Sequence, residues 1–252
     1  SIFYRRSALL APAGGAAVAA ALLGELDARP LPAAIRRGLA ALQRAREKNS
    51  RDFFRLNADK FREQQDLIAS YEQYGDTVAT LLAEAPLPRR GLALEIGPGD
   101  GRFLAHLAPR FTRVVALDNA PEMLAASRAT ASSEGLDNVD FILGDTGSPA
   151  LAGIKADCIV INMVLHHTPE PARVLADAAA HLGPGGVIAV TDLCRHDQGW
   201  ARENCGDLWL GFEPEQLTAW AADAGLGDLA SSFLAQRNGF QIQVRLFGHA
   251  TQ

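Results

Sequence analysis

Cysteine is scarce in this chain. Its three residues, Cys158, Cys194 and Cys205, are odd in number and far apart in a 252-residue sequence. No disulfide framework follows from them, and a reducing, cytoplasmic compartment is expected. Positive charge is not in excess either: 24 Lys and Arg stand against 29 Asp and Glu, a net charge of −5. That balance argues against general affinity of the whole chain for nucleic acid, while leaving a local basic patch open. Long hydrophobic runs are also missing. The nearest to one, Ala8 to Gly24, follows Arg5 and Arg6 as a signal-peptide core would, but Pro12, Gly14 and Gly15 interrupt it. It falls short of the ~20 strongly apolar residues that span a bilayer, so neither export nor membrane insertion is expected. The chain opens on Ser1 rather than Met, and residues are expected upstream. No internal repeat or low-complexity segment stands out. At 48% apolar and 21% charged, the composition is that of an ordinary globular protein. The length fits one large α/β domain, alone or with a smaller appendage.

What is present is concentrated in Leu92-Ala93-Leu94-Glu95-Ile96-Gly97-Pro98-Gly99-Asp100-Gly101-Arg102. It reads as a buried strand tipped by an acid, a glycine turn, and the start of a helix. A second apolar run, Val114-Val115-Ala116-Leu117, ends in Asp118. Strand, glycine turn, helix and an acid-tipped second strand make a nucleoside-binding βαβ unit. Glycine permits positive φ and close approach of backbone to ligand. The acid can accept hydrogen bonds from both ribose hydroxyls. Replacing Asp118 by Ala should then cost ~2–4 kcal/mol of binding. The plain alternative is an N-cap for a helix opening at Pro121, a role for which Asn119 competes. In the dinucleotide fingerprint a third glycine would stand at Arg102, so the spacing departs from G-x-G-x-x-G. The pattern is acid-x-G-x-G-x-G, through Glu95, Gly97, Gly99 and Gly101. It resembles the first motif of the class I S-adenosylmethionine (SAM)-dependent methyltransferases, whose ligand carries a methionine tail in place of phosphates.

From residue 92 strands and helices alternate. Strands are expected at 92–96, 113–118, 138–143, 156–162 and 186–192, and helices at 101–108, 121–134, 170–181 and 214–224. Gly183-Pro184-Gly185-Gly186 should separate a helix from its next strand. Such alternation implies right-handed crossovers and a mainly parallel sheet. Phe233 to Arg237, Asn238-Gly239 and Phe240 to Phe247 give a hairpin signal. The expected fold is α/β, Rossmann-like: a mainly parallel seven-stranded sheet ending in an antiparallel hairpin, as in class I methyltransferases. Ahead of it lie an expected strand at Ile2–Arg6, a helix at 16–24, and two or three helices between Ala33 and Glu84. Two domains are expected: a helical extension over 1–87, and a SAM-binding domain over 88–252.

The resemblance over 88–192 lies close to the ubiquinone/menaquinone methyltransferase group. Arg51-Asp52-Phe53-Phe54, Val190-Thr191-Asp192, His196-Asp197 and Leu208-Trp209-Leu210-Gly211-Phe212 look like a bacterial group with an ArsR-type winged helix fused in front. Ile2-Phe3-Tyr4-Arg5 resembles the last strand of such a wing. The resemblance implies SAM as cofactor, with S-adenosylhomocysteine (SAH) as product. It places Glu95 at the amino-acid end of the ligand. Asp145, followed by Thr146, stands where the family has an acid that accepts from the adenine amino group; the plain alternative is a turn-forming Asx residue. Met123 packs on the adenine face or serves only as core. By the open-sheet rule Asn162 and Met163 border the sulfonium. Beyond them His167, in Leu165-His166-His167, is the candidate general base, against a role in ordering its loop. Helices carrying Phe53, Phe54, Tyr71 and Tyr74 lid the pocket in related folds, or form a packing stripe.

Other readings carry weaker signals. Arsenite methylation needs clustered thiolates, and no tight Cys pair exists. A nicotinamide-dependent oxidoreductase lacks its last fingerprint glycine and a Tyr-x-x-x-Lys pair. A SAM- or SAH-sensing ArsR-type regulator would require a helix-turn-helix upstream, and only that element would bring DNA as partner. No metal site is expected. The acceptor is expected to be a small molecule, and the Ala/Leu-rich helices before residue 50 suggest a homodimer.

Overall fold

The computed structural model describes residues 24–25, 29–57 and 60–249. The strand expected at Ile2–Arg6, and all but the last residue of the helix at 16–24, lie outside these residues. The chain divides into two compact units, residues 1–44 and 45–252. The boundary falls inside helix α1 (Ala33–Asn57). In the first unit α1 opens behind Pro32, whose carbonyl accepts from the Arg36 N–H at 3.0 Å. Its Ile35, Leu39 and Leu42 recur at helical spacing and are exposed. No described helix is long and apolar enough to cross a membrane.

The second unit continues with α2 (Phe61–Asp66) and α3 (Tyr71–Glu84). α3 starts at Ser70, whose N–H donates to Gln73 Oε1 at 2.8 Å and so closes an otherwise open helix end. The alternating part follows: β1 (Leu92–Ile96), α4 (Leu104–Leu107), β2 (Arg113–Asp118), α5 (Pro121–Ser133), β3 (Val139–Leu143) and β4 (Ala156–Asn162). After it come α6 (Pro171–His181), β5 (Leu182–Leu193), α7 (Trp200–Asn204), α8 (Pro214–Asp223), β6 (Leu226–Ala235) and β7 (Gln241–His249). The sheet has seven strands in the order β3-β2-β1-β4-β5-β7-β6. β1 to β5 pair in parallel, and β7 lies antiparallel between β5 and β6.

Strands buried on both faces read as continuous apolar runs, and their alternate residues supply two separate cores. Ala93, Val114, Ala116, Cys158 and Val160 face one side, with Val78 and Leu82 of α3 and Leu104 of α4. Leu94, Ile96, Val115, Ile159 and Ile161 face the other, with Leu175 of α6 and Leu217 of α8. The second side of β1 thus needs nothing from the helices before it, whereas the first is completed by α3.

The structure departs from expectation in four places. The helix expected at 101–108 is only α4, because Gly101 holds φ +83°, which no helix allows. β5 begins at Leu182 and takes in Gly183-Pro184-Gly185-Gly186; the register against β4 shifts between Ala156 and Cys158 to absorb that stretch. The hairpin turn spans Gln236–Phe240, closed by the Gln236 N–H on the Phe240 carbonyl at 2.8 Å. Asn238 does not take the positive φ a two-residue Asn-Gly turn needs. Its side chain instead donates to the Leu67 and Ile68 carbonyls at 3.0 and 2.8 Å. Last, α7 and the first half of β6 were not expected. Asp228, Ser231 and Ser232 are poor strand formers, but β6 is an edge strand and tolerates them. There Asp228 also receives the Arg245 guanidinium of β7.

Candidate cofactor and acceptor site

One large cavity opens at the carboxyl ends of β1, β2 and β4, where an open parallel sheet binds ligands. The glycine turn after β1 forms its floor. Gly97 and Gly99 hold φ +66° and +60°. The Gly97 N–H donates to the Leu117 carbonyl at 2.8 Å, which ties the turn to β2. A Cβ at Gly97 would stand 2.5 Å from Val164 Cγ2. Gly101 is placed differently: it is not on the cavity wall, and a Cβ there would stand 2.8 Å from Ser127 Cα. Its work is to let the turn lie against α5, where Ser127 Oγ donates to the Gly99 carbonyl at 2.8 Å.

Glu95 reaches the cavity at the tip of β1. It is 1% exposed, and its Oε2 has no hydrogen-bond partner. Burial, with Asp100 adding to it, pushes its carboxyl up to about 8. Asn162, at the tip of β4, leaves both side-chain polar atoms unpaired. Buried polar groups are normally satisfied, so these atoms mark where a polar ligand would sit. Met163 follows with φ +56°, held by its N–H on the Thr191 carbonyl at 2.8 Å. Such a conformation costs a non-glycine residue ~1–3 kcal/mol and concentrates at functional sites.

Asp118 stands at the tip of β2 with Asn119 beside it on the cavity wall. Its Oδ1 accepts from the Ala120 N–H at 2.8 Å, and Ala120, not Asn119, is the N-cap of α5. Burial raises Asp118 to about 6, against two backbone hydrogen bonds that lower it. Met123 lines the cavity from α5 and is also buried. Asp145 lines the cavity while its Oδ1 accepts from the Gly147 N–H at 3.0 Å, so the turn-forming alternative holds alongside a wall position. Thr146 lies next to it and donates from Oγ1 to Asp177 Oδ2 at 2.7 Å.

The opposite wall comes from α1 and α3. Ser50, Phe54, Tyr71 and Tyr74 line the cavity, which agrees with the lid reading of the aromatic residues. Ser50 Oγ donates to the His167 carbonyl at 3.2 Å, and the Phe54 ring meets the His167 ring edge-on at 5.0 Å. His167 lines the same wall. Its Nδ1 lies 3.4 Å from the Gly206 carbonyl, which can only accept, so the proton of the neutral ring sits on Nδ1. Burial and the neighbouring His166 charge hold this imidazole well below its ordinary value.

Sequence reasoning missed two groups. Arg102 lines the cavity, paired to Asp100 at 3.1 Å and Glu72 at 3.0 Å and lying over the Tyr71 ring at 4.8 Å. Its signal was available: it occupies the place of the missing glycine. The other is a buried network behind His167. His166 Nδ1 donates to Asp192 Oδ1 at 2.9 Å, and Asp207 lies 3.9 Å from His166 Nε2 and 3.8 Å from His167 Nδ1. Burial lowers His166, but Asp192 and Asp207 outweigh it and raise it to about 9. No local pattern joins positions so far apart in sequence. None of the three cysteines lines the cavity.

The fold is the α/β, Rossmann-like fold of methyltransferases, a seven-stranded, mostly parallel sheet ending in an antiparallel hairpin. Residues 94–188 match a family described as "Methyltransferase domain". The chain is 39% identical over 116 residues to the trans-aconitate 2-methyltransferase of Methylobacterium radiotolerans, covering 44% of this chain and 42% of that protein. It is 33% identical over 128 residues to the ubiquinone biosynthesis O-methyltransferase of Cereibacter sphaeroides, covering 50% and 51%. The match therefore spans about half the length of these curated relatives. Among solved structures, the N-methyltransferase NodS of Bradyrhizobium japonicum, bound to SAH, superposes with a TM-score of 0.57. It is 16% identical and covers 71% of this chain and 87% of that one, a likeness of fold.

Proposed function

We propose that the protein transfers a methyl group from SAM to a small-molecule acceptor. The observation that carries this reading is the convergence of Glu95 Oε2, both polar atoms of Asn162, and Asp118 on one cavity floored by Gly97 and Gly99. A ligand with a cationic amino end and a ribose fits those groups. Glu95 would hold the amino end, and Asp118 the ribose hydroxyls through the lone pairs its Ala120 bond leaves. Asp145 and Thr146 would flank the adenine, with Met123 against its face. Asn162 and Met163 would border the reacting centre.

SAM supplies a methyl group already activated on a sulfonium. The chain's task is then to align the acceptor and exclude water, and positioning of this kind supplies ~7–11 kcal/mol. Phe54, Tyr71 and Tyr74 would close the acceptor side. His167 would take a proton through Nε2 from an acceptor that carries one, its Nδ1–H being held by Gly206. The two curated relatives differ in their named substrates, so the acceptor is assigned only as a small molecule; the ubiquinone-like subgroup is a narrower proposal.

Calorimetric titration of the purified chain with SAM and with SAH tests the reading. Comparable micromolar affinity for both supports it; binding of neither overturns it. Binding of SAH alone would favour the ArsR-type sensor alternative, whose winged-helix signal at Ile2–Arg5 lies outside the described residues. We place the protein in the cytoplasm and propose a homodimer, supported by the exposed stripe Leu31, Ile35, Leu39 and Leu42. A monomeric mass by light scattering would remove the dimer.

A further inference from the structure

Behind the main cavity, three potential metal ligands gather, of which the methyl-transfer reading uses only His167, and that through its other ring nitrogen. One nitrogen each from His166 and His167 and one carboxylate oxygen from Asp207 lie within 4.8 Å of one another, and all three residues are buried. We propose that His166, His167 and Asp207 bind one divalent first-row transition cation, zinc by donor type.

Four observations carry the proposal. Asp207 is 3% exposed, and neither of its carboxylate oxygens has a hydrogen-bond partner. A buried carboxylate with nothing to accept is expensive, and a cation removes the expense. The ligand atoms stand close to the required spacing: Asp207 Oδ1 lies 3.9 Å from His166 Nε2 and 3.8 Å from His167 Nδ1. Tetrahedral zinc with bonds of about 2.0–2.2 Å sets its ligands about 3.4 Å apart, so binding would draw inward three groups that already lie within 4.8 Å of one another. The outer shell is also in place. His166 donates its other ring nitrogen to Asp192 Oδ1 at 2.9 Å, the carboxylate–histidine arrangement that orients a metal-bound imidazole. Asp192 is itself fixed by the Leu193 N–H at 2.8 Å. Finally, a second, small cavity is lined by both imidazoles together with Gln65, Met163 and Cys205.

The ion would connect this site to the acceptor wall. Metal on His167 Nδ1 displaces that nitrogen's proton and leaves Nε2 protonated. The loaded protein therefore presents a hydrogen-bond donor to the acceptor where the metal-free protein presents a base. The rival occupant of the cluster is a proton, with imidazolium His166 between Asp192 and Asp207.

The full chain, stripped with a chelator and dialysed, is titrated with Co²⁺ while visible absorption is followed, and separately with Zn²⁺ while thermal unfolding is followed. The expected result is one equivalent of Co²⁺ giving ligand-field bands, displaced by Zn²⁺, and a higher Tm with zinc. Asp207→Asn should abolish the bands, and Asp192→Asn should weaken binding ~10–100-fold through its outer-shell contact. An unchanged far-ultraviolet circular dichroism spectrum and unchanged SAH affinity show that each variant is folded. Absence of bands and of a zinc-induced Tm shift in the folded parent would overturn the site and leave the proton as occupant. Metal uptake that Asp207→Asn does not alter would overturn it equally, by locating the ion elsewhere. Both outcomes are independent of whether SAM binds.

Discussion

Two carboxyls of the main cavity, Glu95 and Asp118, are raised by burial. Asp118 keeps one oxygen on the Ala120 N–H, so its helix contact and the proposed ribose contact would draw on different lone pairs. Asp118→Ala should weaken SAH binding by ~2–4 kcal/mol by calorimetry, as loss of a charge-assisted pair does. Unaltered affinity would remove Asp118 from the site. Glu95 makes a separate prediction for the ligand-free protein. Its folded-state value of about 8 lies above the ordinary 4.5. Between those values the unfolded chain has released a proton that the folded chain retains, so stability falls as pH rises through that window. Glu95→Gln removes this dependence. The unfolding free energies of variant and parent should converge below about pH 4 and separate in the variant's favour up to pH 8–9, by on the order of 5 kcal/mol, with Tm moving in the same direction. Parallel Tm curves for the two proteins across that range would show that Glu95 is not held protonated. These residues were legible in sequence because each stands at a strand tip beside a turn that names it. Asp207 was not, since its partners His166 and Asp192 belong to other elements and only the folded chain brings them to it.

At the scale of elements, the glycine turn divides its work. Gly97 and Gly99 make the cavity floor, while Gly101 spaces the turn from α5. Gly101→Ala would meet Ser127 Cα at 2.8 Å and also hold a positive φ. Both penalties fall on packing, not on ligand contact. The variant should lose ~2–4 kcal/mol of stability, read by chemical denaturation, and the fraction that stays folded should bind SAH with near-parent affinity. A large loss of affinity in folded Gly101→Ala protein would return Gly101 to the ligand. The parallel strands were readable because burial on both faces leaves an unbroken apolar run, as in Cys158-Ile159-Val160-Ile161. β6 was readable only where it approaches the turn. Its earlier half owes its structure to β7, whose Arg245 bonds to Asp228 and, at 2.7 Å, to Thr218 of α8. Tertiary contact overrides propensity in that strand. Asn238 shows the same effect in the turn: the residue was noticed for its backbone preference, yet it acts through its side chain.

For the whole molecule, the consequential question is where the functional body begins. The sequence puts that boundary at residue 88, just ahead of the alternating pattern that starts at residue 92. The contacts suggest a boundary between residues 44 and 45, inside α1. The reason is chemical as well as geometric. Ser50 and Phe54 of α1 and Tyr71 and Tyr74 of α3 line the cavity, and Ile68, Val78 and Leu82 complete the core on one side of the sheet. Burying a large aliphatic side chain contributes ~1.5–3 kcal/mol, and a domain's net stability is only ~5–15 kcal/mol. A chain starting at residue 88 would expose that side of the sheet and lose more than it can spare. We therefore expect residues 45–252 to fold cooperatively and bind SAH within about threefold of the full chain. Residues 88–252 should be insoluble or lack a cooperative thermal transition. Heat denaturation and SAH titration of both truncations decide the matter. A folded, SAH-binding 88–252 fragment would make α1 to α3 a dispensable appendage, and a 45–252 fragment without affinity would draw residues 1–44 into the site.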